Sequence, residues 1–508
     1  MPTESGQQPQ DAKPTLDKDL SKISYMEHAS GSMGRSLLLP GLAIVFIAAS
    51  AAITMSLTNG QPGSMMIAAA AAIGAYMAIN IGANDVANNV GPAVGSKALT
   101  LVGALIIAAI CESAGALLAG GDVVGTISKG IVDQNSVSDP QTFTLLMMSA
   151  LISAALWINL ATVIGAPVST THSIVGGVAG AGIAAAGFMA VDWSEMARIA
   201  ASWVISPVLG GIIAASFLAF IKIRIIYQDD KIAAARRWVP VLVAIMAGAF
   251  AAYLALKGLK KIDFVKNFIG DDIVKALMVG GVAAVATWAI SSPLIKRQSE
   301  GMENRNRSLR ALFKIPLIFS AALLSFAHGA NDVANAIGPL AAIVSTVQEG
   351  LVVKEVDIPL WVMMIGALGI SFGLALFGPK LIHMVGAQIT KLNPMRAFCV
   401  ALSAAITVII ASWLALPVSS THIAVGGVFG VGFFREWYTA NSKRRRDYVR
   451  RHAGRRTAEQ MAVSPDVKRQ RRLVRRHHFL TIIAAWLITV PIAAVLSGSI
   501  FLLLSNIA

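Results

Sequence analysis

Two polar clusters interrupt the apolar runs of this 508-residue sequence, and the two are nearly identical. The first cluster is the segment 82–92, and the second is 329–339, in which nine of the eleven residue types recur. Carboxylate and amide groups are costly in apolar surroundings unless they bind or pair with something. Because the same costly set occurs twice, we predict that both clusters bind a ligand.

Within each cluster, two asparagines stand four residues apart, so that on a helix they share one face with an aspartate beside them. The residues are Asn84, Asp85 and Asn88 in the first cluster, and Asn331, Asp332 and Asn335 in the second. Carboxylate and amide oxygens suit a hard cation such as sodium, a carboxylate can hold a proton, and amide N–H groups can donate to an anion. The alternative is that these groups only hydrogen-bond to one another and hold helices together.

A second repeated motif follows each cluster and carries consecutive hydroxyl groups. These hydroxyl motifs, Pro-Val-Ser-(Thr/Ser)-Thr-His, occupy 167–172 and 417–422, each just before a predicted helix. Their hydroxyls belong to Ser169, Thr170 and Thr171, and to Ser419, Ser420 and Thr421. Unpaired N–H groups and the positive dipole end at a helix start, together with hydroxyls, can hold an oxyanion without Lys or Arg. Ordinary N-capping is the alternative.

Four further side chains could carry a proton or an ion. Glu112 is a lone carboxylate inside a predicted span, so it is a candidate for binding a coupling cation or proton, or for a hydrogen bond to a neighbouring helix. His172 and His422 adjoin the hydroxyls and could carry protons or fix the local chain by hydrogen bonds. His328 has no counterpart, because Ile81 occupies the matching place, and its role stays open.

The composition indicates the setting of these motifs. The sequence is 56% hydrophobic and only 14% charged, whereas a soluble domain is about a quarter charged. We therefore predict an all-α polytopic membrane protein with about 12–13 transmembrane helices, some broken or re-entrant near the motifs. The candidate spans are 37–57, 65–90, 98–119, 142–164, 173–190, 196–221, 239–256, 274–294, 315–345, 358–382, 397–416, 421–434 and 479–505.

The net charge of +15 is concentrated between spans. From Arg435 to Arg476 there are 15 Lys and Arg residues against 4 acids. The positive-inside rule places this loop, 435–478, and the basic loops 222–237 and 295–314 in the cytoplasm. A basic loop between spans favours contact with anionic lipid head groups over binding of nucleic acid.

The loop charges also predict how the duplicated halves are oriented. The acidic segment 192–195 follows the first hydroxyl motif, whereas the basic loop follows the second. Equivalent ends therefore face opposite sides, as in inverted-topology repeats with a site near the midplane. The predicted organisation is a disordered cytoplasmic N-terminus (1–36), an extra span (37–57), a first repeat (65–221), connector spans (222–314) and a second repeat (315–508).

The paired motifs, Gly-Ala-Asn-Asp-Val-Ala-Asn followed by Pro-Val-Ser-(Thr/Ser)-Thr-His, resemble those of the inorganic phosphate transporter (PiT) family. The resemblance covers about 65–295 and 314–508, including the last span around 486–491. It implies a secondary transporter that moves inorganic phosphate by symport with sodium or protons. Glu112 matches a family acidic position, but Ala401 stands where a second family glutamate is expected, and 37–57 precedes the family core.

We therefore predict a phosphate symporter of the cell membrane, not an enzyme, that works by alternating access. Phosphate is assigned to Asn84, Asn88, Ser169, Thr170, Thr171, Asn331, Asn335, Ser419, Ser420 and Thr421. The coupling cation is assigned to Asp85, Asp332, Asn84, Asn331 and Glu112. The expected partners are phosphate, sodium or protons, membrane lipids and a second copy in a homodimer, with no nucleic acid and no cofactor besides sodium. Sulfate or a metal–phosphate complex is the alternative cargo, and an intramembrane Ser-His-Asp hydrolase is the alternative class.

Overall fold

The structure is a computed structural model, and it describes residues 38–133, 136–137, 139–164, 168–259, 263–270, 272–352, 358–388, 392–452 and 476–507. Throughout these ranges the regular structure is helical, apart from one isolated bridge between Val132 and Val191. The predicted all-α architecture is therefore confirmed. The predicted disordered segment 1–36, Pro167 of the first hydroxyl motif, and 453–475 of the basic loop lie outside the described residues.

The helices of the first half are α1 (Leu38–Leu57), α2 (Ser64–Asn84), α3 (Val86–Gly95), α4 (Leu101–Ala119), α5 (Gly121–Lys129), α6 (Pro140–Ile164), α7 (Thr170–Ala186) and α8 (Trp193–Ile221). The connecting section contains α9 (Lys231–Tyr253), α10 (Asp263–Phe268), α11 (Ile273–Gln298) and α12 (Asn306–Leu312). The second half contains α13 (Lys314–Asp332), α14 (Ala334–Glu349), α15 (Leu360–Gln388), α16 (Pro394–Trp413), α17 (Ser420–Asn441), α18 (Lys443–His452) and α19 (Arg476–Ser505). Short π-helical turns, Lys222–Ile226 and Leu254–Gly258, extend α8 and α9.

Within the described residues, eleven helical segments are long and apolar enough to cross a membrane, with α2–α3 and α13–α14 each counted as one. All eleven coincide with predicted spans. The two other predicted spans, 173–190 and 421–434, correspond to α7 and α17, which begin at the hydroxyl motifs. α7 has only 17 residues, which is short for a full crossing of about 20 residues.

Burial separates the helices that carry the motifs from those on the outside. In the most apolar windows of α13–α14 and α16, 83% of the residues are buried inside the protein, compared with 11% in α11. Side chains on α11 such as Leu277 and Val282 are exposed and apolar, as expected where a helix faces lipid. The polar clusters therefore lie on helices that are shielded from lipid by other helices.

Both polar clusters interrupt a helix next to the aspartate. Asp85 separates α2 from α3, whereas the second break falls one position later, at Val333, between α13 and α14. Both residues keep right-handed helical dihedral angles, with φ/ψ of −91°/−35° and −56°/−32°. The predicted interruptions are thus present, and each is confined to one residue.

The third residue of each hydroxyl motif is a helix N-cap. α7 begins directly after Ser169 and α17 directly after Ser419. The hydroxyls of these serines accept the backbone N–H groups of His172 and His422, at 3.1 and 3.3 Å. The capping alternative therefore holds for the first hydroxyl of each motif, and the next two hydroxyls make other contacts.

The two halves pack against each other reciprocally. α2 packs on α15 as α13 packs on α4, and α7 packs on α19 as α17 packs on α8. Where α4 meets α15, the hydroxyls of Ser113 and Ser371 lie 2.8 Å apart, and they also bond to the carbonyls of Ala367 and Ala109, respectively. Reciprocal contacts of this kind are what two-fold related elements produce. The inverted orientation of the repeats in the membrane stays a prediction.

Glycine begins each polar cluster because a crossing helix leaves no room for a side chain. A Cβ atom on Gly82 would lie 1.9 Å from the carbonyl oxygen of Ile370 in α15, and one on Gly329 would lie 2.1 Å from that of Glu112 in α4. Small residues allow helix backbones to approach closely in lipid, where the hydrophobic effect does not drive helices together. The two close approaches hold the clusters in equivalent positions.

The segments predicted to be cytoplasmic meet one another. The Asn304 side chain accepts the backbone N–H of Lys231 at 2.9 Å, and the Lys231 ammonium donates to the Tyr448 hydroxyl at 2.6 Å. Gln348, at the end of α14, donates at 2.9 Å to Gln61, which follows α1. The three basic loops therefore contact one another, and their cytoplasmic orientation stays a prediction.

Candidate functional site

The fold brings together the two aspartates of the polar clusters, which are 247 residues apart in the chain. One oxygen of Asp85, one of Asp332 and a ring nitrogen of His328 all lie within 4.8 Å of one another. All three residues are buried. This group could hold a metal ion, and it forms the centre of the candidate site.

Asp85 is the point at which both hydroxyl motifs converge. Thr170 donates to its Oδ2 at 2.7 Å, and Thr421 donates to its Oδ1 at 3.2 Å. These threonines lie in the first turns of α7 and α17. A single carboxylate of the first half therefore joins the two helix N-termini that we predict to bind an oxyanion.

Asp332 has a different environment. Ser420 donates to its Oδ2 at 2.9 Å, as Thr170 does to Asp85 in the first half. The same oxygen lies 2.8 Å from Nε2 of His328, one helical turn earlier on α13. The second aspartate is therefore linked to one hydroxyl motif and to an imidazole.

The second asparagine of each cluster crosses to the other half. Asn88 donates to Thr421 at 2.9 Å. Asn335 donates to Thr171 at 3.1 Å and to Thr170 at 3.2 Å. Each hydroxyl motif is thus bound by the polar cluster of the opposite half. The alternative in which these side chains hold helices together accounts for part of what they do.

The first asparagine of each cluster contacts the helix that precedes a hydroxyl motif. Asn84 donates to Thr162 on α6 at 2.9 Å, and Asn331 donates to Ser412 on α16 at 3.1 Å. Asn331 also accepts the backbone N–H of Val418 at 3.3 Å. Oδ1 of Asn84 has no hydrogen-bond donor in the part of the chain that the structure describes. The amide oxygen of Asn84 in the first half therefore has no donor among the described residues, whereas the matching oxygen of Asn331 in the second half already accepts a hydrogen bond.

Glu112 is connected to the aspartates through His328. Its Oε2 lies 2.5 Å from Nδ1 of His328, whose Nε2 faces Asp332. Asn89 donates to Oε1 of Glu112 at 2.8 Å. These side chains form a buried polar chain, Asn89–Glu112–His328–Asp332, which we call the Glu112–His328 chain.

Glu112 and Asp332 are among the site residues predicted from the sequence, whereas His328 has no predicted role and Asn89 is not among the predicted residues. One signal was available, because His328 stands four residues before Asp332 and hence on the same helix face. Asn89 gave no signal of this kind, because Ala336 occupies its place in the second cluster.

The histidines of the two hydroxyl motifs meet each other. The rings of His172 and His422 are T-shaped, with centroids 4.5 Å apart, and His172 also packs on Trp203 at 3.9 Å. The Trp203 indole N–H donates to the Pro417 carbonyl at 3.2 Å. This packing supports the structural alternative, in which the histidines hold the two motifs together.

Four buried oxygen atoms at the site have no hydrogen-bond donor among the described residues: Oδ1 of Asn84, of Asn89, of Asp332 and of Asn335. Buried polar atoms are normally satisfied, so unpaired acceptors call for an explanation. A carboxylate oxygen and amide oxygens are the ligands that hard cations take. The residues present therefore fit the predicted coupling cation.

The geometry is unsuited to a Ser-His-Asp hydrolase. Such an enzyme needs one ring nitrogen of the histidine to face the nucleophilic serine while a carboxylate orients the other nitrogen. His328 has carboxylates at both nitrogens, Glu112 at Nδ1 and Asp332 at Nε2. His328 therefore has no ring nitrogen left to activate a serine.

Comparisons with known proteins identify relatives of this chain. A protein of Helicobacter pylori strain J99 named "putative phosphate permease" is 44% identical over 96% of this chain and 99% of its own length. A permease of the same description from Pyrococcus furiosus is 35% identical over 84% of this chain and 94% of its own. A solved structure described as "The sodium-dependent phosphate transporter" matches with a TM-score of 0.75 and 33% identity, over 87% of this chain and 100% of that one.

The family model that describes the phosphate transporter family matches residues 81–497, which include both polar clusters and both hydroxyl motifs. Its members are transporters and permeases rather than enzymes. With its eleven apolar spans among the described residues, this chain is a multi-pass integral protein of the cell membrane, and it belongs to the phosphate transporter family.

Proposed function

We propose that this chain is a symporter that moves inorganic phosphate together with a coupling cation by alternating access between two inverted repeats. The observation that carries the proposal is the double engagement of Asp85, by Thr170 of one hydroxyl motif and Thr421 of the other. The carboxylate of Asp85 thus accepts hydrogen bonds from hydroxyl groups of both halves.

A cation between the aspartates would change what these hydroxyls can bind. The hydroxyls of Thr170 and Thr421 donate to Asp85, and an incoming phosphate meets two buried carboxylates of like charge. A cation held by Asp85 and Asp332 offsets that repulsion and competes for the carboxylate oxygens. The hydroxyls can then donate to phosphate. Phosphate therefore binds after the cation, which couples the two movements.

We propose that phosphate is held by neutral donors at the starts of α7 and α17. Thr170, Thr171, Ser420 and Thr421 supply hydroxyls, and the amides of Asn88 and Asn335 reach the same region from the opposite halves. The capping serines of both motifs act by ordering the helix N-termini, which carry the positive end of the helix dipole. Neutral donors hold the anion without a permanent ion pair, so that it can be released.

Sodium is our first candidate for the coupling cation. Asp85, Asp332, Asn84, Asn331 and Glu112 are its proposed ligands and neighbours, and the open oxygens of Asn84 and Asp332 favour coordination of a metal cation. The similar solved structure is that of a sodium-dependent phosphate transporter, which supports sodium. The proton is the second candidate, because the Glu112–His328 chain ends at Asp332 and its imidazole can hold a proton.

Two other cargoes fit the same donors. Hydroxyl and N–H groups accept any tetrahedral oxyanion, so sulfate is an alternative. Asp85, His328 and Asp332 form a group that could hold a metal, so a neutral metal–phosphate complex is another.

The test is uptake of labelled phosphate into proteoliposomes under an inward sodium gradient or an inward proton gradient. We expect accumulation with the sodium gradient, unaffected by a metal chelator or by excess sulfate. Accumulation with the proton gradient alone would assign the proton, and loss on chelation would assign the metal–phosphate complex. Folded protein that takes up no phosphate under either gradient would refute the proposal.

A further inference from the structure

A buried group of cations lies where the basic segments meet, away from both hydroxyl motifs. Lys222, at the end of α8, is only 7% exposed, and its ammonium lies over the ring of Tyr438 at 4.5 Å. Arg435 and Arg445, on α17 and α18, are half-buried, as is Arg396 on α16. The Lys222 ammonium also lies 5.5 Å from the ring of Phe434, which adjoins Arg435, and Arg445 donates at 3.2 Å to the carbonyl of Thr439, which adjoins Tyr438. α16, which carries Arg396, packs on both α8 and α17. We call these four residues the basic cluster.

Three of the four cations, Lys222, Arg435 and Arg445, form no ion pair within the described residues. The acids that follow α8 are engaged elsewhere, since Asp229 pairs with an arginine of α18 at 3.7 Å and Asp230 caps α9. Buried charges are normally paired or bound to an ion, so the buried Lys222 calls for an anion, to which the half-buried Arg435 and Arg445 can also donate.

Phenol groups complete the surroundings of the ammonium. Tyr438 is only 5% exposed, and its hydroxyl has no hydrogen-bond partner among the residues that the structure describes. Tyr227 stacks on Tyr438 with ring centroids 5.8 Å apart. A buried hydroxyl without a partner beside buried cations is a donor that a bound oxyanion would satisfy.

We propose that the basic cluster binds a phosphate-bearing anion, at a site separate from the transport site and on the side that we predict to be cytoplasmic. Guanidinium groups match the oxygens of a phosphate group with two parallel hydrogen bonds, and an ammonium adds a compact positive charge. Several cations around one position favour a group with more than one negative charge. The ligand is either a soluble phosphate compound or the head group of an anionic phospholipid.

Binding of this anion should hold the two halves together at this end. Lys222 extends α8 of the first half, whereas the arginines belong to α16, α17 and α18 of the second half. Without an anion, these like charges repel one another across the interface between α8 and α17. A bound phosphate group replaces that repulsion with attraction, so it should raise the melting temperature of the protein.

The test uses the purified full-length chain in a neutral detergent with two probes, cardiolipin and tripolyphosphate. Native mass spectrometry measures the bound probe, and thermal unfolding measures stabilisation. We expect Lys222→Met, Arg435→Gln and Arg445→Gln each to weaken binding about tenfold, the effect of losing one charge-assisted hydrogen bond. Arg450→Gln is the matched control, because Arg450 is an exposed cation on α18, and it should leave binding unchanged.

The outcomes separate the sources of the ligand. Cluster-dependent binding of cardiolipin alone assigns a lipid head group, and that of tripolyphosphate alone assigns a soluble anion. Equal binding by the wild type and the three cluster variants, or an equal loss in Arg450→Gln, overturns the proposal. Lys222→Arg keeps the charge and should keep the binding, which separates lost binding from misfolding. If Lys222→Met does not fold, the half-buried Arg435 and Arg445 decide the result.

Discussion

The two polar clusters share their sequence pattern but differ in what surrounds their aspartates. In the second half, Asp332 lies beside His328, which in turn contacts Glu112. In the first half, Ile81 stands at the position that matches His328, and Ile370 makes the helix contact that matches that of Glu112. The crossing of α13 with α4 thus contains the ionisable pair His328 and Glu112, whereas the matching crossing of α2 with α15 contains Ile81 and Ile370.

This difference separates what the fold needs from what transport needs. The matched contacts, such as those of Asn88 and Asn335, hold the two halves together and occur twice. A buried ionisable chain is a costly way to join helices, because apolar side chains of similar size often serve as well. Its presence at only one of the two matching helix crossings therefore argues for a role in ion or proton coupling, and we infer that this step takes place where α4 crosses α13.

Replacing each aspartate by asparagine tests the comparison most strongly. We expect Asp85→Asn to reduce phosphate uptake roughly 100-fold, because it removes the charge that orients two hydroxyl donors. Asp332→Asn should also impair uptake, but it removes only one hydroxyl contact and leaves His328 beside a neutral amide. Initial rates of labelled phosphate uptake into proteoliposomes measure both.

Asp139→Asn is the matched control for this pair. Asp139 precedes α6 and its pKa lies below the usual value, because Thr142 donates to it through its side chain and backbone N–H. Asparagine is an equally good N-cap, so uptake should stay at the wild-type rate. Undiminished uptake by Asp85→Asn would contradict the proposed coupling.

Substitutions of Gly82 and Gly329, the first residues of the two polar clusters, test whether the two helix crossings are equivalent. Gly82→Ala and Gly329→Ala should each lower the stability by about 2 kcal/mol, since both place a methyl group against a backbone carbonyl. Thermal unfolding in detergent measures the loss. Gly281→Ala, on lipid-facing α11, is the control, because a Cβ there meets nothing within 4 Å. If one cluster glycine is tolerated as well as Gly281, the two crossings are not equivalent.

Substitutions in the Glu112–His328 chain test whether this unrepeated chain contributes to transport. Glu112→Gln and His328→Gln should each reduce uptake about tenfold, through loss of one charged hydrogen bond. The double variant should lose little more than either single one, because both residues act through one chain to Asp332. Uptake rates of the four proteins in this cycle measure the coupling. Fully additive losses would show that Glu112 and His328 act separately.

Much of this architecture follows from the sequence because its signals are local or repeated. Apolar runs predict the spans, and duplication of the motifs predicts that Asp85 and Asp332 share a site with both sets of hydroxyls. The pairing of Glu112 with His328 could not be predicted, since it depends on how α4 crosses α13, 216 residues away. Asn89 and His328 are not predicted as site residues, because the prediction is based on repeated motifs and neither residue is repeated in the other half. Ser169 and Ser419 show a further limit, since the pattern does not reveal which hydroxyls cap and which reach an aspartate.

The smallest expected effect concerns the hydroxyl pair where α4 meets α15. Ser113→Ala and Ser371→Ala should each lower the stability by about 1 kcal/mol or less, in line with one hydrogen bond between helices in a membrane protein. Because the two hydroxyls bond to each other at 2.8 Å, the double variant should be little less stable than either single one. Thermal unfolding of the wild type, the two single variants and the double variant measures these losses. Ser499→Ala, at an exposed serine, is the control. Phosphate uptake should not change in any of these variants. Unequal single losses would mean that the two halves differ at their shared interface as well as at His328, and the asymmetry could then no longer be assigned to the Glu112–His328 chain alone.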